Sequence, residues 1–102
     1  MTYARIAGIG SYLPEKVLTN KDLEGMMDTS DEWIRKRSGI EERRWCKEGQ
    51  GGSDMAQIAT ERALEKAGME ADEIDCIVVA TISPDYFFPG TGVFLQRKLG
   101  LS

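Results

Sequence analysis

Residues 76–82, Cys-Ile-Val-Val-Ala-Thr-Ile, limit the possible folds of this chain more than any other stretch. The run is apolar, rich in β-branched side chains and does not alternate. Such a segment predicts a strand buried on both faces, as in a parallel sheet covered by helices. Upstream, Met55, Ile58, Ala59, Ala63 and Ala67 recur at helical spacing and predict a helix over roughly Asp54–Ala67, with Ser53 as its cap and Gly68 as its stop. The stripe is made mostly of small side chains, which let a helix sit close against a sheet. The strand-helix-strand unit from Ser53 to Ile82 is therefore expected to be a right-handed crossover of an α/β layered fold.

Along the rest of the chain, Ala4 to Tyr12 predicts a strand carrying Ile6 and Ile9, with Gly8 and Gly10 allowing close backbone approach. The Gly8-x-Gly10 pair is no dinucleotide fingerprint, because Leu13-Pro14 follows where a helix would have to open. Thr19 or Asn20 caps a short helix in which Leu23, Met26 and Met27 form one apolar stripe, expected to pack in the core. Ile40 to Glu48 is charged and alternates imperfectly, which suits an edge strand or an extended arm. Ala71 to Ile74 adds a further helical turn. Thr91 to Leu99 predicts a last helix with Val93, Phe94, Leu95 and Leu99 placed for burial and Gly100 as stop.

The functional signal lies in residues 29–40. Thr29 or Ser30 can cap a helix whose positive end suits Asp31 and Glu32, and whose last turn holds Arg35, Lys36 and Arg37. Gly39 then closes it. Trp33 and Arg37 are four apart, so an aromatic ring and a planar guanidinium share one face. Two readings follow from that spacing: a core-anchoring tryptophan with an arginine lying over it, or a grip on a flat heteroaromatic ring.

Composition narrows the choices. A chain of 102 residues forms one small domain, and 41% apolar with 29% charged residues is ordinary for a water-soluble protein. No apolar run approaches the ~20 residues that span a bilayer, and no signal-peptide pattern opens the chain, so a cytoplasmic location and no membrane partner are expected. A net charge of −4 argues against nucleic acid. Residues 35–47 nevertheless hold six cations against Glu41 and Glu42, a local +4 that suits a small phosphorylated ligand or an acidic protein, or else a solvated strand and helix end. Cys46 and Cys76 lack metal-ligand spacing and read as reduced thiols, Cys76 as a small core residue. There is no histidine, which removes histidine-based nucleophilic catalysis within this chain, and no metal site is expected.

The loop Ser83-Pro84-Asp85-Tyr86-Phe87-Phe88-Pro89-Gly90 carries three aromatic rings. Loops seldom do so uncovered, and either a partner or ligand covers them or they fold back over the sheet.

Taken in order, Gly8-Ile9-Gly10-Ser11-Tyr12-Leu13-Pro14-Glu15, Thr19-Asn20, Asp28-Thr29-Ser30-Asp31-Glu32-Trp33-Ile34, Arg37-Ser38-Gly39-Ile40, Glu42-Arg43, Ala67-Gly68, Ile77-Val78-Val79-Ala80-Thr81 and Phe88-Pro89 resemble beta-ketoacyl-acyl carrier protein synthase III. The resemblance covers nearly the whole chain. It implies a thiolase-like layered αβαβα fold, of which residues 1–102 are the first, incomplete part of the N-terminal half. It also implies an acyltransferase of fatty acid biosynthesis that joins a short acyl-CoA primer, such as acetyl-CoA, to malonyl-acyl carrier protein by decarboxylative condensation. Trp33 and Arg37 would then sandwich the adenine of coenzyme A and Thr29 would hydrogen-bond to it. Phe88 would lie at a homodimer interface.

In that family the nucleophilic cysteine is expected beyond the position of Ser102, with its histidine and asparagine further on, so no catalytic residue is assigned here and the chain alone is expected to be inactive. Coenzyme A thioester is expected as substrate and no cofactor is permanently bound. The alternatives are a stand-alone binding or interaction module without catalysis, or a related synthase priming polyketides or signal molecules.

Overall fold

The computed structural model describes residues 2–102, which fall into two compact units. Leu13–Glu48 forms one, and the remaining described residues form the other.

In the Leu13–Glu48 unit, strand β1 (Lys16–Thr19) pairs antiparallel with β2 (Glu42–Trp45), placing Lys16 opposite Trp45 and Thr19 opposite Glu42. The edge strand expected within Ile40–Glu48 is thus present, with β1 as its partner. Leu18 is the buried apolar residue of this unit, at 4% exposure. Thr19 caps helix α1 (Asn20–Glu24): its hydroxyl accepts from the Asp22 N–H at 3.2 Å, and the Asp22 carboxylate accepts from the Thr19 N–H at 2.7 Å. The helix then stops after five residues, with the Gly25 N–H turned back to the Asp22 carbonyl. Met26 and Met27 therefore lie past its end and are more than half exposed, against the expectation that they pack in the core. Helix α2 (Asp31–Ser38) follows. Ser30, not Thr29, caps it, and Gly39 closes it in the left-handed region at φ 72°.

The second unit is built on helix α3 (Gly52–Ala67), a 3₁₀ turn at Ala71–Glu73 and helix α4 (Thr91–Lys98). Gly51 is the N-cap residue of α3 and donates its N–H to the Asp54 carboxylate at 2.8 Å. Ser53, expected as the cap, sits inside the first turn and is spent on Asp85 instead. A methyl group added at Gly8 would run into the Ala63 carbonyl, and one at Gly10 into the Ala59 carbonyl. The segment expected as the first strand therefore lies directly on the small-residue stripe of α3. It has no strand partner among the described residues. Arg62 holds it from the side, donating to the Ser11 carbonyl at 2.8 Å with its guanidinium 5.7 Å from the centre of the Tyr12 ring.

Helix α4 packs on α3 through Leu95, 5% exposed, and through an ion pair from Lys98 Nζ to the Asp54 carboxylate at 2.7 Å. Val93, expected inside, is half exposed. The largest departure concerns residues 76–82, which form no ladder with any described residue and leave Val78 89% and Ile82 100% exposed. Cys76 is exposed with them, not a core residue. A strand of this kind needs neighbouring strands to hydrogen-bond its edges and helices to cover its faces, and the one sheet among the described residues consists of β1 and β2 alone. No helix of the described residues is long and apolar enough to cross a membrane.

Candidate functional site

Helix α2 presents Trp33 and Arg37 on one face, as the four-residue spacing requires. The Arg37 guanidinium carbon lies 5.4 Å from the centre of the Trp33 ring. That ring is 56% exposed, so it is not a core anchor of its unit. Its indole borders a groove of ≈ 310 Å³ lined by Asp28, Thr29, Ser30 and Trp33. Thr29 is therefore a groove residue rather than a cap, half-buried beside the ring's helix turn. All three predicted binding residues thus belong to one short stretch, with Thr29 and Trp33 on the groove and Arg37 stacked against Trp33.

The neighbouring charges divide into occupied and open ones. Arg35 donates from Nε to Asp31 Oδ1 at 2.9 Å and from its terminal nitrogen to Glu41 Oε1 at 2.8 Å. The Asp31 carboxyl is held below the usual carboxylate range, first by the hydrogen bond from Asn20 and then by the one from Arg35. The Arg35 guanidinium is raised in turn, chiefly by its hydrogen bond to Asp31. Arg43 donates to the Leu18 carbonyl at 3.3 Å and to Asn20 Oδ1 at 2.8 Å, and Arg44 donates to the Pro14 carbonyl at 3.0 Å. Much of the basic patch expected over residues 35–47 is thus committed to the internal bonding of its own unit. Arg37 is in no ion pair with the described residues, and its guanidinium has only the indole as its recorded partner.

Asn20 and Asp85 carry more of the structure than their sequence context announces. Asn20 is 1% exposed, donates to Asp31 Oδ1 at 2.8 Å and to the Ile40 carbonyl at 2.7 Å, and accepts from Arg43. In the other unit, Asp85 gathers Ser53 and Thr91. The available signal for Asn20 was its place beside the capping Thr19, which places the residue at a helix start without naming its distant partners. For Asp85 there was none beyond a loop position after Pro84.

Tyr86 of the aromatic loop lies 5.4 Å from Phe94 of α4, yet is itself 65% exposed. Phe87 and Phe88 are 94% and 90% exposed. None of the three rings is buried, so the expected folding back over a sheet does not occur among the described residues. Among the described residues no group of three or more His, Cys, Asp or Glu side chains is placed to hold a metal ion.

No family model matches the chain. The chain is 61% identical over 97 residues to the beta-ketoacyl-[acyl-carrier-protein] synthase III of Geobacillus kaustophilus, an alignment covering 95% of this chain and 31% of that protein. Its backbone is similar to the crystal structure of 3-oxoacyl-[acyl-carrier-protein] synthase III from Aquifex aeolicus, with a TM-score of 0.83 and 47% identity over 93% of this chain and 30% of that one. It is also similar to the priming beta-ketosynthase of the R1128 polyketide pathway, with a TM-score of 0.84 and 36% identity over 94% of this chain and 29% of the other. The fold is thus the thiolase-like one, and the matched part is the N-terminal portion. The chain spans about 30% of the length of the relatives it matches.

Proposed function

We propose that this chain is the N-terminal part of an initiating condensing enzyme, a beta-ketoacyl-acyl carrier protein synthase III, and that it supplies the grip on the coenzyme A end of a short acyl-CoA primer. The complete enzyme joins that primer, acetyl-CoA in the simplest case, to malonyl-acyl carrier protein with loss of carbon dioxide. The nucleophile and its histidine come from outside these 102 residues. The observation that carries the reading is the Trp33 indole, more than half exposed, beside the groove and paired with a guanidinium that is in no ion pair among the described residues.

Each residue then has a physical task. Trp33 offers a flat apolar face on which a purine stacks, worth about 1–3 kcal/mol per base. Thr29, on the same groove, offers a hydroxyl that can donate to a ring nitrogen or accept from the exocyclic amine. Arg37 closes the far side. A base sandwiched between two planes needs about 7 Å between them, two contact distances of ~3.5 Å. At 5.4 Å the guanidinium already touches the ring, so it must lift away before the base enters. Binding at this handle positions the thioester remotely, since energy gained away from the reacting carbon can be used to orient it.

The apolar surface supports an incomplete domain over a stand-alone module. Ile6, Val78, Ile82, Phe87 and Phe88 are each at least 82% exposed, and an isolated soluble domain rarely leaves so much apolar surface open. Phe88 is assigned to a homodimer contact of the complete enzyme.

The test is Trp33→Ala in the complete protein. Coenzyme A affinity measured by calorimetry should fall about tenfold, equivalent to ~1.4 kcal/mol, with Tm within a degree or two of the parent. Unchanged affinity would reject the grip.

A further inference from the structure

We propose that Asn20 is the positioning residue for this nucleotide grip, acting through Asp31 on the first turn of the helix that carries Trp33 and Arg37. The inference rests on the coenzyme A reading above and extends it to a residue that touches no ligand.

Helix α2 has eight residues and none is fully buried, so hydrophobic packing does not by itself set its orientation. What holds it is a set of polar bonds converging on its first turn. The Asp31 N–H donates to Glu24 Oε1 at 2.8 Å, tying α2 to the end of α1. Asp31 Oδ1 accepts from Asn20 Nδ2 at 2.8 Å and from Arg35 Nε at 2.9 Å, two donors on one oxygen. Arg35 in turn reaches Glu41 Oε1 at 2.8 Å. Of these groups only Asn20 is buried, and it is bonded in four directions: to Asp31, to the carbonyl of Ile40 just past the helix stop, to Arg43 of β2, and through its own N–H to the Glu41 carbonyl at 3.2 Å.

Asn20 thus bonds the first turn of α2 and the chain just beyond its last turn at once, and refers both to the β1–β2 ribbon. A side chain with two donors and one acceptor in those directions is needed, and only an amide of this length supplies it. Small rotations of an unanchored helix move its exposed face most, and Trp33 and Arg37 are on that face. Misplacement of a positioning group by a fraction of an ångström is costly for the bound ligand and for reaction geometry.

The test is a substrate comparison in the complete enzyme, using acetyl-CoA and acetyl-pantetheine, which carries the same thioester without the nucleotide. Asn20→Asp removes both donors and sets a carboxylate against Asp31. It should lower kcat/KM for acetyl-CoA by about tenfold through KM, while kcat/KM for acetyl-pantetheine changes less than about twofold. Adding Asp31→Asn, which returns a donor to the pair and keeps an oxygen for Arg35, should recover most of the loss. If the aspartate variant does not fold, Asp31→Ala cuts the same link from its more exposed end and should give the same split. Equal losses on both substrates, or no recovery in the double variant, would overturn the positioning role. Trp33→Ala run alongside separates the two levels. If it lowers acetyl-CoA selectively and Asn20→Asp does not, the inference alone fails; if Trp33→Ala shows no selectivity, the grip itself fails and the inference with it.

Discussion

The Asp85 carboxylate takes two hydrogen bonds from one residue, Ser53: one from the N–H at 2.9 Å and one from the hydroxyl at 2.6 Å. Ser53 is in the first turn of α3, and the same carboxylate accepts from the hydroxyl of Thr91, at the start of α4, at 3.1 Å. One negative charge therefore serves the positive ends of two helices and fastens the loop between residues 83 and 90 to both. The site is close enough that a methyl group at Gly51 would strike the Asp85 carboxylate.

Asp85→Ala should destabilise the protein by about 2–4 kcal/mol, because it removes the acceptor of the buried Ser53 hydroxyl and N–H and of the Thr91 hydroxyl, which keeps only the N–H of residue 85. Asp85→Asn keeps one oxygen acceptor and should cost about half as much. Urea unfolding at neutral pH measures both, and a loss below about 0.5 kcal/mol for the alanine variant would contradict the clamp.

Acid should weaken the fold through a small set of carboxylates. Burial acts to raise the Asp85 carboxyl, but the hydrogen bonds from Ser53 and Thr91 outweigh it and hold it low. Asp54 is held low by Lys98 first and then by the Gly51 N–H, and Asp22 by the Thr19 N–H and hydroxyl. A carboxyl lower in the folded than the unfolded chain binds fewer protons when folded. Its contribution is therefore complete above the unfolded value of about 4 and is lost as pH falls through the folded value. Stability measured by denaturant from pH 7 to pH 2 should be level in its upper range and fall steeply below about pH 4, with a shallower fall in Asp85→Asn.

Glycine substitutions should separate two physical causes. Gly10→Ala places a methyl against the Ala59 carbonyl and the Ala63 backbone and should cost about 1–3 kcal/mol by overpacking the contact with α3. Gly39→Ala meets nothing within 4 Å, yet must hold φ 72° and should cost about 1–2 kcal/mol from backbone strain alone. Gly39→Asn tests this, since asparagine tolerates the left-handed region and should recover part of that loss; no recovery would place the cost elsewhere.

Phe88→Ser should leave the monomer's melting behaviour nearly unchanged, because the ring is 90% exposed and contributes little to its own unit. In the complete enzyme it should shift the sedimentation-equilibrium balance toward monomer. A dimer equally tight with serine would remove Phe88 from the interface.

The sequence of this chain already determines its local punctuation: the left-handed stops at Gly39, Gly68 and Gly100, a helix start at Thr19 or Asn20, the helix from roughly Asp54 to Ala67, and the sharing of one helix face by Trp33 and Arg37. These depend on φ preferences and on neighbours within a turn, so a short window contains their causes. The strand reading of 76–82 came from the same kind of window. It is unrealised because pairing is a long-range property, and no described strand pairs with that segment. Met26 and Met27 leave the expected core stripe for a related reason: their spacing is helical, but the tight turn at Gly25 ends α1 before them. Only tertiary structure decided that Asn20 joins residues 31, 40 and 43, and that the Asp85 carboxylate reaches back to Ser53 at the start of α3. Hydrogen bonds between residues 11 to 32 positions apart depend on where the chain returns in space, and no periodicity of side chains encodes that return.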